Sequence, residues 1–348
     1  MRSFILGCML LLNCLYPKLI EAIDFKNKFI NFNNIMNLTV EYLDQFGNIA
    51  NQTYFMSKLA FIKHFAMAGL HYAPNPRKII KAIGMLLHYS LYLQRNDYYN
   101  NNRFSLPPIP MYDPTEKGQF SNIAGKSIAD FLSKRIDSSL YTVNYEAVMR
   151  LNGFALGGSH PDLIAYSPNS IFAIEAKGRT DSTYPNMSGC KIQATSGPVS
   201  VNFSIACVSY NLYNRIKCKY HDPFKRDIPY DNSSLKNLTK AYYTGLLEFL
   251  NPDYFHIEEL QIQKERFYSV DINYWILESS KIVGLNLFKF YKHNKHFFNI
   301  FPKLILSKKI REYARNGISI ETKPFILDTD RDRLLYVDND RVGLKIEN

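Results

Sequence analysis

The stretch HPDLIAYSPNSIFAIEAKG, residues 160–178, sets two short apolar runs on either side of a turn-forming Ser-Pro-Asn-Ser, with Asp162 near one end and Glu175 and Lys177 near the other. Runs this short, rich in Ile, Phe and Tyr and punctuated by turn residues, predict a β-hairpin with strands over roughly 161–166 and 171–177. A loop centred between Pro168 and Asn169 brings Asp162 directly opposite Glu175. The two-residue side-chain period then sends Lys177 to the face that Glu175 occupies. Like charges facing each other across a sheet are destabilising, and a divalent cation offsets that repulsion. Two carboxylates and a backbone carbonyl make half a shell for a hard ion such as Mg²⁺, which keeps several waters and completes its shell with phosphate oxygens. Such an ion acidifies a bound water and neutralises charge developing on phosphorus, while an amine such as Lys177 orients the water: the outline of phosphodiester hydrolysis.

The flanks supply the context. SNIAGKSIADFLSKRI places Ala124, Ile128, Phe131, Leu132 and Ile136 on one helical face, with Lys126, Lys134 and Arg135 off it. YTVNYEAVMRL alternates from Tyr141 to Leu151 and predicts a strand closed by Asn152-Gly153. After the hairpin, a short helical segment carries Gln193, and PVSVNFSIACVSY reads as a further strand. The expected order is helix, strand, strand, strand, helix, strand.

Pro161-Asp162 followed after a 12-residue gap by Glu175-Ala176-Lys177, with Gly157-Gly158 ahead and Gly178 behind, resembles the PD-(D/E)xK nuclease superfamily. That resemblance covers about residues 120–210. It implies an α/β fold with a restriction-endonuclease-like αβββαβ core and a mixed central sheet. It also implies Asp162 and Glu175 as metal ligands, Ala176 as a ligand through its carbonyl, and Lys177 as the catalytic lysine. Members of the superfamily carry another acid on the preceding helix or first strand, a place open to Asp130 or Glu146, and some branches carry a catalytic glutamine where Gln193 stands. The implied cofactor is Mg²⁺, for which Mn²⁺ substitutes. The implied activity is nucleic-acid cleavage, as an endonuclease rather than an exonuclease, with DNA as the preferred substrate in a restriction, defence or repair setting. A homodimer or a partner subunit stays open.

Around this core, the chain divides into a mainly helical region over 1–110, the core over 118–230, and an α+β extension over 231–348. Between Met56 and Arg95 there is no acidic residue, and apolar residues recur at helical spacing on both sides of APNPRK, which predicts two basic amphipathic helices joined by a turn. The stretch 96–118, with its Asn repeats and prolines, reads as a linker. Toward the C-terminus, LTKAYYTGLLEFL predicts a helix, RFYSVDINYWIL a strand, and ISIETKPFIL with RLLYVDNDRVGLKI a terminal pair of strands. Residues 289–315 interleave eight lysines and arginines with aromatic side chains, a pattern suited both to phosphate contact with base stacking and to a plain solvated basic face.

Composition agrees with a polyanionic partner: 42 basic against 31 acidic residues give a formal charge of +11. The five cysteines lack CxxC spacing and read as reduced, mostly buried thiols rather than a zinc site. The apolar run over residues 1–22 is too short for an integral membrane span and has signal-peptide length, so a secreted form stands as the alternative to a cytoplasmic one. DTDRDR departs from a calcium loop at Arg333, the neighbouring lysines disfavour a metal between His293 and His296, and His221 draws no chemical role. Two rival functions remain: an RNA-directed or exported toxin-like nuclease, and a catalytically silent nucleic-acid-binding module.

Overall fold

In the computed structural model of the protein, the described residues are 35–44, 46–71, 89–93, 99, 101–106, 113–225, 232–272, 302–317, 325–329 and 335–346. The expected signal segment, most of the second helix of the basic pair (of which Ser90–Leu93 is described as helical), residues 289–301 and most of DTDRDR lie outside them.

The chain enters as two strands, β1 (Ile35–Leu43) and β2 (Ile49–Ser57), paired antiparallel. Over these described residues a strand pair stands where the sequence reading places a mainly helical region; much of 1–110 lies outside the described residues. Met36, Leu38 and Val40 of β1 alternate with polar neighbours and are fully buried, a strand period that the helical spacing downstream overshadows. Helix α1 (Lys58–Met67) follows at once, with Ser57 as its cap accepting from the Ala60 amide at 3.0 Å.

Helix α2 (Pro114–Ile136) begins inside the stretch read as a linker. Asp113 caps it by accepting from Thr115 and Glu116, and Pro114 fills the first turn, where no amide partner is needed. Of the predicted stripe, Ala124, Ile128, Phe131 and Leu132 are wholly buried and Ile136, at the end of the helix, is half-buried; Phe120, one turn ahead, is buried as well. Strand β3 (Tyr141–Asn144) is cut short, because the Asn144 side chain accepts from the Ala147 amide and starts helix α3 (Tyr145–Leu151). The alternation read as one long strand is therefore overruled from Tyr145 onward, and a cap plus the helix-forming Glu-Ala-Val-Met-Arg-Leu decides it.

Next come β4 (Leu163–Tyr166), β5 (Ile171–Gly178), helix α4 (Met187–Thr195) and β6 (Phe203–Tyr210). Leu163 pairs with Ile174 and Tyr166 with Ile171, the register that the loop centre demands. Strand β7 (Lys217–Lys225) completes a seven-stranded mixed sheet in the order β2-β1-β7-β6-β5-β4-β3. Within it β3, β4 and β5 run antiparallel, and β6 lies parallel to β5 after the α4 crossover. Helices α2 and α4 both pack on β5 and β6, which explains why those strands read as nearly continuous apolar runs. The N-terminal hairpin joins this sheet through parallel pairing of β1 with β7, so the sheet runs through the expected boundary near 110.

Helix α5 (Asn232–Leu247) leads to a second, antiparallel sheet. It is built from β8 (His256–Ile262), β9 (Glu265–Asp271), β10 (Lys303–Ser307), β11 (Leu327–Thr329), β12 (Leu335–Val337) and β13 (Val342–Lys345). Helix α6 (Ile310–Asn316) packs on α5. Ile262, Phe267, Ile305, Leu335 and Val337 form this sheet's own core cluster.

A buried ionic cluster ties the β12–β13 turn to α1 and α2. Lys63 Nζ lies 2.7 Å from Asp338 and 2.9 Å from Asp340, and Lys134 Nζ lies 3.0 Å and 3.1 Å from the same two carboxyls. Tyr242 and Tyr243 of α5 donate to Asp340, one to its carboxylate and one to its carbonyl. Lys134, expected off the buried stripe, is buried against these acids. Cys207 and Cys218 are free and buried and Cys190 is free and half-buried, as the reading of reduced thiols expects. No helix among the described residues is long and apolar enough to cross a membrane.

Candidate functional site

The site forms at the C-terminal end of β5, where α2 crosses the sheet. The crossing is made close by two glycines: a Cβ on Gly178 would run into the Ser121 carbonyl, and one on Gly125 into the main chain of Lys177 and Gly178. Backbone therefore meets backbone, and the residue after Gly125, Lys126, is held over the hairpin.

Asp162 lies just ahead of β4. Its amide donates to the Ile174 carbonyl at 3.1 Å, one residue out of the β4–β5 register, and its Oδ2 accepts from the Ala176 amide at 3.1 Å. Its Oδ1 is 2.7 Å from Lys126 Nζ. Glu175 is wholly buried, and its Oε2 accepts no hydrogen bond from the described residues. Its Oε1 touches Lys177 Nζ, an ion pair in which the ammonium is the donor. Burial, and then the negative charge of Asp162, push the Glu175 carboxyl up to about 7, against the pull of Lys177 and Lys126. Burial alone would lower the Lys177 ammonium, but Glu175, Asp162 and the Cys190 thiol outweigh it and leave the pKa raised. Asp162, Glu175 and Lys177 thus interact as one group, and Lys126 is a fourth member that the sequence reading left on the helix surface. Its signal was Gly125, a helix-weakening residue inside an otherwise regular stripe.

The remaining predicted residues fall elsewhere. Gln193, on α4, donates to the His160 carbonyl at 3.0 Å and ties that helix to the loop entering Asp162. Glu146 sits on α3 rather than on a strand, is 46% exposed, and faces His160 Nε2 at 3.4 Å. His160 stacks flat on Tyr145 and keeps Nδ1 3.0 Å from the Pro161 carbonyl. Asp130 is drawn into the ionic cluster, bonded to His64 Nδ1 at 2.6 Å and to the Thr142 hydroxyl at 2.8 Å. None of the three adds a carboxylate or amide to the Asp162–Glu175 pair. Ala176 is buried, with its amide given to Asp162.

The face that carries Glu175 and Lys177 continues across the sheet. Register aligns Glu175 with Ala206 and then His221, and Lys177 with Val208, Lys219 and then Glu41. Met187, Cys190 and Ala194 of α4 cover the middle of that face against Ala206 and Val208. Beyond them Glu41 holds Lys219 and His221, each at 3.1 Å, and accepts from the Tyr184 hydroxyl at 2.8 Å. This second polar group is internally paired, and burial lowers the His221 pKa, with Lys191 acting in the same direction.

Among the described residues no set of three or more His, Cys, Asp or Glu side chains converges in the manner of a protein-only metal cage. Two carboxylates, one of them with an oxygen that meets no donor among the described residues, suit the smaller demand of Mg²⁺, which is commonly bound by one or two carboxylates together with substrate phosphates. Comparison of the chain with protein-family models, with curated proteins and with solved structures finds no significant match.

Proposed function

We propose that the protein is a metal-dependent phosphodiesterase acting on nucleic acid, with Asp162 and Glu175 as ligands for Mg²⁺ or Mn²⁺ and Lys177 as the amine beside the reacting phosphate. The observation that carries this reading is Glu175: a wholly buried carboxylate that has Lys177 on Oε1, no donor among the described residues on Oε2, and the negative charge of Asp162 nearby. A buried acid kept for stability alone is expected to be saturated with donors, because an unmet one costs free energy. The run from α2 to β6 supports the same reading, since its strand order β3-β4-β5-β6 and its directions resemble those of the restriction-endonuclease-like core.

When bound, the ion would supply an acidified water and neutralise charge on the phosphoryl oxygens. The protein's own share is to hold the two carboxylates across the hairpin, to exclude solvent from Glu175, and to keep the Lys177 ammonium at the water or at the developing charge. The formal charge of +11 favours a polyanionic substrate, and the superfamily resemblance favours DNA.

Purified protein incubated with linear, circular and single-stranded DNA and with RNA, in Mg²⁺, Mn²⁺ or chelator, tests the proposal. Cleavage is expected with metal, lost in Asp162→Asn and Lys177→Ala while nucleic acid is still bound. Intact substrates under every metal condition would reject the enzyme and favour a silent binding module.

A further inference from the structure

We propose that Lys126 is a resident competitor for the cation at Asp162, so that metal uptake is coupled to arrival of the substrate's phosphates; the inference rests on the metal-site reading above. With both lysines in place, the charges of Asp162 and Glu175 are met by those of Lys126 and Lys177, and the pocket offers a dication no net negative charge. The two acids are not equally open. Both oxygens of Asp162 are engaged, Oδ2 by the Ala176 amide and Oδ1 by Lys126 at 2.7 Å, whereas Glu175 has Lys177 on Oε1 and no donor among the described residues on Oε2. A cation can take Asp162 Oδ1 only when the Lys126 ammonium leaves.

Lys126 is built to leave. The Gly125–Gly178 approach fixes its main chain, while its side chain is 35% exposed and free to swing toward solvent. An ion pair exposed to this degree is weak and screened, so displacing it costs little once another anion receives the ammonium. A phosphodiester backbone supplies that anion beside the metal. Linkage then requires reciprocity: the polyanion raises affinity for the metal by the factor with which the metal raises affinity for the polyanion.

Calorimetric titration of Mn²⁺ into the full-length wild type, Lys126→Met, Lys126→Gln and Asp162→Asn, with and without a short phosphorothioate-linked DNA duplex, separates the outcomes. Without DNA, both Lys126 variants are expected to bind Mn²⁺ about tenfold more tightly than wild type, within the range of site-to-site coupling. The duplex should close most of that gap, and Asp162→Asn should lose the ion. Equal Mn²⁺ affinity in wild type and both Lys126 variants, with loss only in Asp162→Asn, overturns the competitor role and leaves the metal site standing. Absence of Mn²⁺ binding in every protein, with and without DNA, overturns the metal-site reading and this inference with it.

Discussion

Replacing Glu175 with Gln is expected to stabilise the metal-free protein at pH 8 while destroying its site. The carboxyl ionises at about 7 in the folded chain against an ordinary value of 4.5, chiefly because it is buried and next because Asp162 faces it. At about 1.4 kcal/mol per pH unit of displacement, the ionised side chain costs the fold up to about 3 kcal/mol. The sign follows from proton counts. Below pH 4.5 the group is protonated in both states and costs nothing. Between 4.5 and 7 the unfolded chain releases a proton that the folded chain keeps, so wild-type stability falls as pH rises, and above 7 the loss is complete. Gln is neutral throughout and keeps nearly the same volume, and Lys177, 41% exposed, regains solvent when its partner is removed. Urea unfolding in chelator should therefore show Glu175→Gln more stable than wild type by about 2–3 kcal/mol at pH 8, with the difference shrinking below about 1 kcal/mol at pH 5. Added Mg²⁺ should stabilise wild type alone. A Glu175→Gln protein no more stable than wild type at pH 8 would refute the claim that this carboxylate is held at a cost.

Two further outcomes follow from the packing. Gly178→Ala should destabilise by about 3 kcal/mol and abolish cleavage, because the new methyl meets the Ser121 carbonyl and lifts α2 from β5, whereas Gly118→Ala on the same helix, with open space around it, should gain up to about 1 kcal/mol; thermal melts compare them. Lys63→Met should cost about 3–5 kcal/mol in denaturant titrations by leaving Asp338 and Asp340 short of one buried cation. The cluster also predicts an acid limit: against burial, Lys134 and His64 hold Asp130 down to about 2, so its stabilisation is present above pH 4 and is lost as pH falls through 2.

The hairpin was legible because its information is local. A Ser-Pro-Asn-Ser turn and two apolar runs fix the loop centre, and the loop centre fixes the register from Leu163–Ile174 to Tyr166–Ile171, just beyond which lie Asp162 and Glu175. The stripe of α2 was legible for the same reason. Local reading failed where two periods competed: Tyr141–Leu151 alternates like a strand, yet a side-chain cap at Asn144 turns its second half into a helix. It failed at β2 because that strand is an edge strand whose first five residues are all exposed, so no apolar alternation marks it. Lys126 and the Lys63–Lys134–Asp338–Asp340 cluster were out of reach for a different reason. Each of these residues reads as a surface charge in its own segment, and only the tertiary fold supplies the partner that makes burial or pairing possible.

The two carboxylates considered alongside Asp162 show how a structural acid separates from a ligand-seeking one when both are buried. Asp130 gives one oxygen to His64 and the other to Thr142, and the nearby ammonium of Lys134 pulls its pKa down, so further coordination would have to break bonds already made. Glu175 is buried to the same degree, has Lys177 on one oxygen and no donor among the described residues on the other, and is raised rather than lowered. Hairpin spacing nominates Glu175 and the family resemblance leaves a place for Asp130, and burial does not distinguish them. What does is the count of donors that the fold supplies: where it is complete the charge belongs to stability, and where it falls short the fold bears a cost that a bound cation would remove. Asp162 lies between these cases, with one oxygen held by a main-chain amide and the other by a lysine that the solvent can reclaim.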